Sequence, residues 1–489
     1  MNREEVRSQK SEFRMPARRV GLFAVLLAAV GFAQTGKVPA SYRDLKFPAA
    51  GRINIPEPVR FQLANGITVY LMEDHELPTV SMNAMVRTGS FWEPVAKAGL
   101  AGICATVMRT GGSTTRNGDA LDRELDRLGA SVESNSSGDM SSAGFFALKE
   151  DVDKALPILA DVLQHPAFPE DKIELAKIDA RANIDRRNDD PGNIASREYM
   201  RVMYGKDSPV AHQTEYATIN AITREDLVAF HKQFYQPESV ILGAWGDFDA
   251  AAMRKKIEQV FGGWQRGGRE RPKIPAASVR GRAGMYAINK DDLNQSQVLI
   301  GLPGGRIDDP DYFAATVMNN ILGNGFSSRL FAQVRTEQAL AYAIGSSWDA
   351  NYEYIGTFTA AGGSKSESTV KFVRAVEREL VRLTEGLVTD AELARGKDNI
   401  LKGIAFEFDS IGKIANRLMT YEYYGYPKDF LQRFQDGIAK VTKDDVLRIA
   451  KQYVKSDQFT VLVVGKEKDF DAPLASLGKV TRIDLAIPK

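Results

Sequence analysis

The spacing of apolar and polar positions changes period several times along the chain. "FQLANGITVYLMED" (Phe61 to Asp74) sets Asn65-Gly66 between two apolar runs. That pair supplies the positive φ angles of a tight turn, so the stretch predicts a β-hairpin. "TVSMNAMVRTG" then alternates Val80, Met82, Ala84 and Val86, the period of a half-buried strand. Helical spacing follows over about Ala96–Thr110, Gly118–Leu128, Lys154–Gln164 and Pro169–Arg187. Hairpins, helices and further strands without a regular strand–helix–strand rhythm predict an α+β fold, an antiparallel sheet with helices packed on one face.

The pattern repeats. "INAITREDLVAFHKQFYQPESVILGAWG" starts at Ile219 and "IAKVTKDDVLRIAKQYVKSDQFTVLVVG" at Ile438. Without gaps, Thr223 falls on Thr442, Asp226 on Asp445 and Phe234 on Tyr453. Each copy has a Thr-x-x-Asp capping signal, an amphipathic helix and a β-rich run ending in Gly. "ATVM" occurs at Ala105–Met108 and again at Ala315–Met318. Between the copies, Gln265 to Gly284 is rich in Gly, Pro and charge and reads as a linker. The expectation is two related domains, 50–264 and 285–475, joined by 265–284, since 489 residues exceed one core.

Composition narrows the class. Apolar content of 44% and charged content of 26% are ordinary for a globular protein, and the net charge of +1 gives no sign of nucleic-acid binding. The N-terminus differs: Arg18 and Arg19 precede an apolar run from Val20 to Ala33, short of the ~20 residues that span a bilayer. Residues 1–33 are therefore expected to be a secretory signal peptide, with Gly31 and Ala33 at the −3 and −1 positions and Met15 as an alternative start. The single cysteine, Cys104, excludes an internal disulfide and any multi-cysteine metal site. An exported chain without disulfides points to the periplasm of a Gram-negative bacterium.

The hairpin, "RTGSFWEP", "KAGLAG", the long helix after it and the duplicated helix–strand segment together resemble the pitrilysin/insulinase zinc metallopeptidases, over roughly residues 50–475. The resemblance implies that two such halves form one side of a clam shell, closed by a second pair of halves. Active relatives carry His-x-x-Glu-His on the helix after "GLA". Two His at i and i+4 share a helix face and bind zinc, and the Glu is the base for the metal-bound water. Here those positions hold Gly102, Ala105 and Thr106. The third-ligand position aligns with Asn183, with Asp179 and Asp185 nearby. No metal or cofactor is expected in this chain, because none of these residues rebuilds the set. His75, His165, His212 and His231 have no ligand-like spacing among themselves.

The second element of the resemblance is "GFSSRLFAQVRTEQALAY", with Arg335 and Tyr342 seven residues apart. From the residues alone, Ser327 or Ser328 caps a helix running to about Gln338, Arg335 is a cation near its C-terminus, and Tyr342 opens a strand as a packed aromatic. The resemblance gives them another role, positioning substrate and stabilising the oxyanion of peptide hydrolysis, with Gly323, Asn324 and Gly325 as a substrate-binding turn. It implies a zinc-free subunit of a heteromeric metalloendopeptidase. Its partner is a related subunit with an intact His-x-x-Glu-His motif that carries the zinc, and its substrate is an unfolded peptide. A second reading stays open: a non-catalytic peptide-binding or scaffold homologue acting as a homodimer.

Overall fold

Gly66, at φ 98°, turns the chain where the hairpin was expected. The strands it joins are β1 (Val59–Gln62) and β2 (Thr68–Glu73). The computed structural model describes residues 52–488 apart from 269–272, 274 and 276. The expected signal peptide, residues 1–33, and part of the expected linker lie outside the described residues.

After β2 the first half continues with β3 (Thr79–Val86), α1 (Leu100–Thr110), α2 (Gly118–Leu128), β4 (Ser131–Ser137), β5 (Met140–Leu148) and α3 (Val152–Gln164). Then come α4 (Glu170–Asp185), α5 (Pro191–Tyr204), α6 (Tyr216–Asn220), α7 (Arg224–Phe234), β6 (Val240–Gly246) and α8 (Ala250–Phe261). The second half runs β7 (Gly284–Asn289), β8 (Gln295–Pro303), α9 (Tyr312–Gly323), a π-helical segment (Phe331–Glu337), β9 (Ala343–Asp349) and β10 (Thr357–Lys365). It closes with α10 (Thr369–Glu385), α11 (Asp390–Gly403), α12 (Ile411–Tyr424), α13 (Phe430–Lys440), α14 (Lys443–Tyr453), β11 (Thr460–Gly465) and β12 (Val480–Arg482).

The repeat is structural as well as sequential. The sheet orders are β1-β2-β6-β3-β5-β4 and β12-β7-β11-β8-β10-β9, the same but for the outermost strand at one edge. Thr223 and Asp226 form a capping box at the start of α7, and Thr442 and Asp445 do the same for α14. Both sheets are mixed rather than wholly antiparallel. In each half the late strand arrives through helices and lies parallel to an early one, β6 beside β2 and β11 beside β7.

Helices of each half pack on one face of its own sheet, as expected. The other face of each sheet is partly covered by a helix from the opposite half. From α5, Ile194, Ala195, Tyr199 and Met203 pack on Ile288, Leu462 and Val464 of the second sheet. In return, Met419 and Tyr423 of α12 pack on Tyr70, Met85 and Ile241 of the first, and Ile414 and Ala415 on Met72. The strands are written for this. In β6, Val240, Leu242 and Ala244 face the helices of their own half while Ile241 faces α12. The approach is close: a Cβ at Gly243 would sit 2.2 Å from the Met419 sulfur, and one at Gly301 1.8 Å from the Tyr199 hydroxyl oxygen. Polar contacts fix the register. The Tyr70 hydroxyl donates to Glu422 (2.9 Å), Arg60 donates to the same carboxylate (2.8 Å), and Asn83 donates to Asn416 (3.0 Å). The two halves thus form a single compact unit.

Candidate active site

Arg335 and Tyr342 are brought together by a distortion that the sequence does not announce. Ser328 caps the segment, its Oγ accepting from the Phe331 amide at 3.5 Å, and Leu330 and Val334 anchor it in the core. Beyond Leu330 the helix widens to π-helical, and the Thr336 hydroxyl donates to the Phe331 carbonyl at 3.2 Å. The Gln338 amide reaches the Gln333 carbonyl (3.2 Å) and the Leu340 amide the Val334 carbonyl (3.0 Å). Ala339 then adopts φ 53°, a left-handed conformation costly for a residue with a Cβ. The chain turns sharply into β9, and Tyr342 stands just before the strand begins. π-Helical turns and such outliers concentrate at functional sites.

The result is a guanidinium beside a phenol. The Arg335 Cζ lies 4.3 Å from the centroid of the Phe331 ring and 5.9 Å from that of Tyr342. Tyr342 is 85% exposed, so it is not the packed aromatic expected of a strand opening. Among the described residues, neither the Tyr342 hydroxyl nor the Arg335 guanidinium has a hydrogen-bond or ion-pair partner. Both donors therefore face solvent uncommitted. β9 follows directly and, among the described residues, is the sheet edge, paired only with β10. Of the expected substrate-binding turn, Asn324 and Gly325 are exposed, with Gly325 at φ 98°. Gly323 is buried, and a Cβ there would lie 2.4 Å from the Ser346 amide nitrogen, so it serves close packing of α9 on β9.

An ion pair fixes the start of this segment. Arg329 is held in a fork by Glu392 at 2.7 and 3.2 Å, with both side chains largely buried. Glu392 also accepts from the amide and hydroxyl of Thr389, closing the capping box of α11. Burial opposes its charge. The hydrogen bonds from Arg329 and Thr389 outweigh burial and hold the carboxyl at about 2, against an ordinary 4.5. A depressed carboxyl contributes stability that is fully present above its unfolded value and lost as pH falls through the folded one. Glu392→Gln is expected to cost about 2 kcal/mol at pH 7, with the difference from wild type shrinking between pH 4.5 and 2. Urea unfolding at pH 7 and pH 3 checks this; an equal deficit at both would discount the ion pair.

The positions aligned with the zinc motif lie on α1 and α4. Leu100, Ile103, Cys104 and Val107 are buried along α1, and burial pushes the Cys104 thiol pKa up. Thr106 is exposed, Gly102 is half-buried beside open space, and Ala105 is buried. Asn183 and Asp179 are exposed on α4, and Asp185 accepts from the Tyr216 hydroxyl. Among the described residues no group of three or more His, Cys, Asp or Glu is arranged to hold a metal ion. Each histidine sits in its own local contact: His75 with Asp247, His165 with Asp161, His212 with Glu93, and His231 with the Leu163 carbonyl.

Comparison with known proteins decides the family. The model described as "Insulinase (Peptidase family M16)" matches residues 68–215, and that described as "Peptidase M16 inactive domain" matches residues 221–400. The chain belongs to peptidase family M16. This M16 chain is 25% identical to an uncharacterized zinc protease of Rickettsia felis, over 81% of its own length and 94% of the relative's. It is 23% identical to the uncharacterized zinc protease YmxG of Bacillus subtilis, over 83% and 97%. Among solved structures it resembles a peptidase M16 inactive domain from Pseudomonas fluorescens, with a TM-score of 0.73, 24% identity and coverage of 84% and 98%. A protease from Helicobacter pylori gives 0.72, 19%, 84% and 100%.

Zinc does not fit the aligned motif positions, since Gly102, Ala105, Thr106 and Asn183 include no imidazole, thiolate or carboxylate. The helix is retained all the same. Glu93, in the turn before α1, has a buried side chain that accepts from the amides of Gly99 and Ala101 (2.9 Å each) and contacts His212 Nε2 at 3.0 Å. A carboxylate there satisfies amides at the positive end of the helix. Sequence reasoning passed over Glu93 and the Arg329–Glu392 pair. An acid just ahead of a helix start was the available signal for the first; nothing local marks the second.

Proposed function

We propose that this M16 chain is the zinc-free subunit of a heteromeric periplasmic zinc metalloendopeptidase. Its role is to supply Arg335 and Tyr342 for substrate positioning and oxyanion stabilisation. The observation that carries the reading is the pairing of an exposed phenol with a guanidinium, neither with a hydrogen-bond or ion-pair partner among the described residues, at the edge of a sheet. An unfolded peptide can add as a strand along β9, which sets its carbonyls beside the two donors. When charge builds on a carbonyl oxygen under attack, an O–H and a planar N–H fork can donate to it. The metal and the attacking water come from a related subunit with an intact His-x-x-Glu-His motif. Export to the periplasm is supported by the expected leader, and by a single cysteine that is buried and so inert.

The test is reconstitution. The mature chain alone is expected to bind no stoichiometric zinc and to cleave no peptide, and addition of the motif-bearing partner is expected to restore chelator-sensitive cleavage. Metal analysis and a fluorogenic peptide assay check both. Cleavage by the isolated chain would overturn the proposal, and so would a self-associating chain that binds peptide with no partner and no turnover.

A further inference from the structure

Two arginines flank the same helical segment and are held in opposite ways. Arg329 is saturated by a carboxylate, whereas Arg335 rests on aromatic rings. Its approach to Phe331, 4.3 Å, is the shortest of a guanidinium to a ring among the described residues. The ring is braced in turn: Phe326, 83% exposed, meets it edge-on at 5.0 Å and 81°.

The chemistry of the two holds differs. A carboxylate occupies the in-plane N–H donors of a guanidinium and competes with any ligand for them. A ring occupies only the flat face, so the donors in the guanidinium plane stay available to an incoming carbonyl oxygen. The ring also limits the rotamers of a long side chain that has no polar partner to orient it, which lowers the entropy lost when a ligand is engaged. We propose that Phe331 is a positioning residue, the shelf that holds the Arg335 guanidinium with its donors free toward the substrate. This rests on the function proposed above. Phe326 braces the shelf, and Tyr342 bounds it on the far side.

Substitution of Phe331, read in the reconstituted enzyme and by NMR of the arginine-labelled chain, tests the assignment. Phe331→Leu keeps apolar bulk and removes the ring face. It is expected to lower kcat ~5–10-fold with KM within about twofold, and to abolish the ring-current shift of the Arg335 side-chain N–H signals. Phe331→Tyr keeps the face and is expected to retain both rate and shift. It also serves as the folding control, with thermal melting of each variant. A Phe331→Leu chain with unchanged rate and unchanged shift overturns the proposal. So does a Phe331→Tyr chain as impaired as Phe331→Leu, since volume rather than the face would then be what matters. If Arg335→Gln leaves the reconstituted rate intact, the functional reading falls by itself, and the NMR shift still decides whether Phe331 holds Arg335.

Discussion

A Tyr342→Phe chain, mixed with the zinc-bearing partner proposed above, is expected to turn over peptide ~10²–10³ times more slowly than the wild-type mixture. The estimate follows from what is removed. Phe keeps the ring and deletes the one hydroxyl that, in the proposed role, donates where charge develops in the transition state. Because the interaction strengthens on going to the transition state, the loss is expected in kcat, with KM little changed. The exposure of Tyr342, 85%, makes the test clean: its hydroxyl has no partner among the described residues, so melting temperature should not move. Arg335→Lys is expected to fall between wild type and Tyr342→Phe, because a point charge replaces a planar fork. Steady-state kinetics of the mixtures check the series. An unchanged kcat for Tyr342→Phe would leave the tyrosine without a catalytic part.

Separate expression of the two halves is the second large effect. A chain ending within the linker is expected to be insoluble or molten, as is a chain beginning there, whereas co-expression should yield a soluble complex. The reason is the exchange of α5 and α12. Without its counterpart, the first half would expose Tyr70, Met72, Met85 and Ile241 on a bare sheet face, together with the apolar stripe of α5. Fully burying a large apolar side chain is worth roughly 1.5–3 kcal/mol, so four such losses are comparable to the whole stability of a typical domain. Solubility, near-UV circular dichroism and dye binding would read the outcome. A well-folded isolated half would mean that the exchanged helices are decoration.

Much of this fold is legible in the sequence because its signals are local. Asn65-Gly66, the period-two run of β3, the Thr-x-x-Asp boxes and the apolar stripe of α1 each report on neighbours a few residues away. The exchange of helices is not local. Neither α5 nor α12 is among the helices read from the sequence, and nothing in their spacing says which sheet they serve. The candidate site divides the same way. The seven-residue interval between Arg335 and Tyr342 is visible, and the resemblance gives it meaning. The π-helical turn, the left-handed Ala339 and the Arg329–Glu392 pair arise from contacts that no short window contains. Gly323 reads as part of a loop because glycine usually marks one, yet here the close approach of Ser346 requires it.

The order of synthesis gives the helix exchange one more consequence. The outer face of the first sheet, begun at Thr68, is finished only when Ile411–Tyr424 arrives, more than three hundred residues later. The amino-terminal part of the molecule must therefore wait, incompletely assembled, while most of the polypeptide is still being made. A chain built this way resists premature locking, and until its last quarter emerges it depends on whatever keeps sticky nascent segments apart.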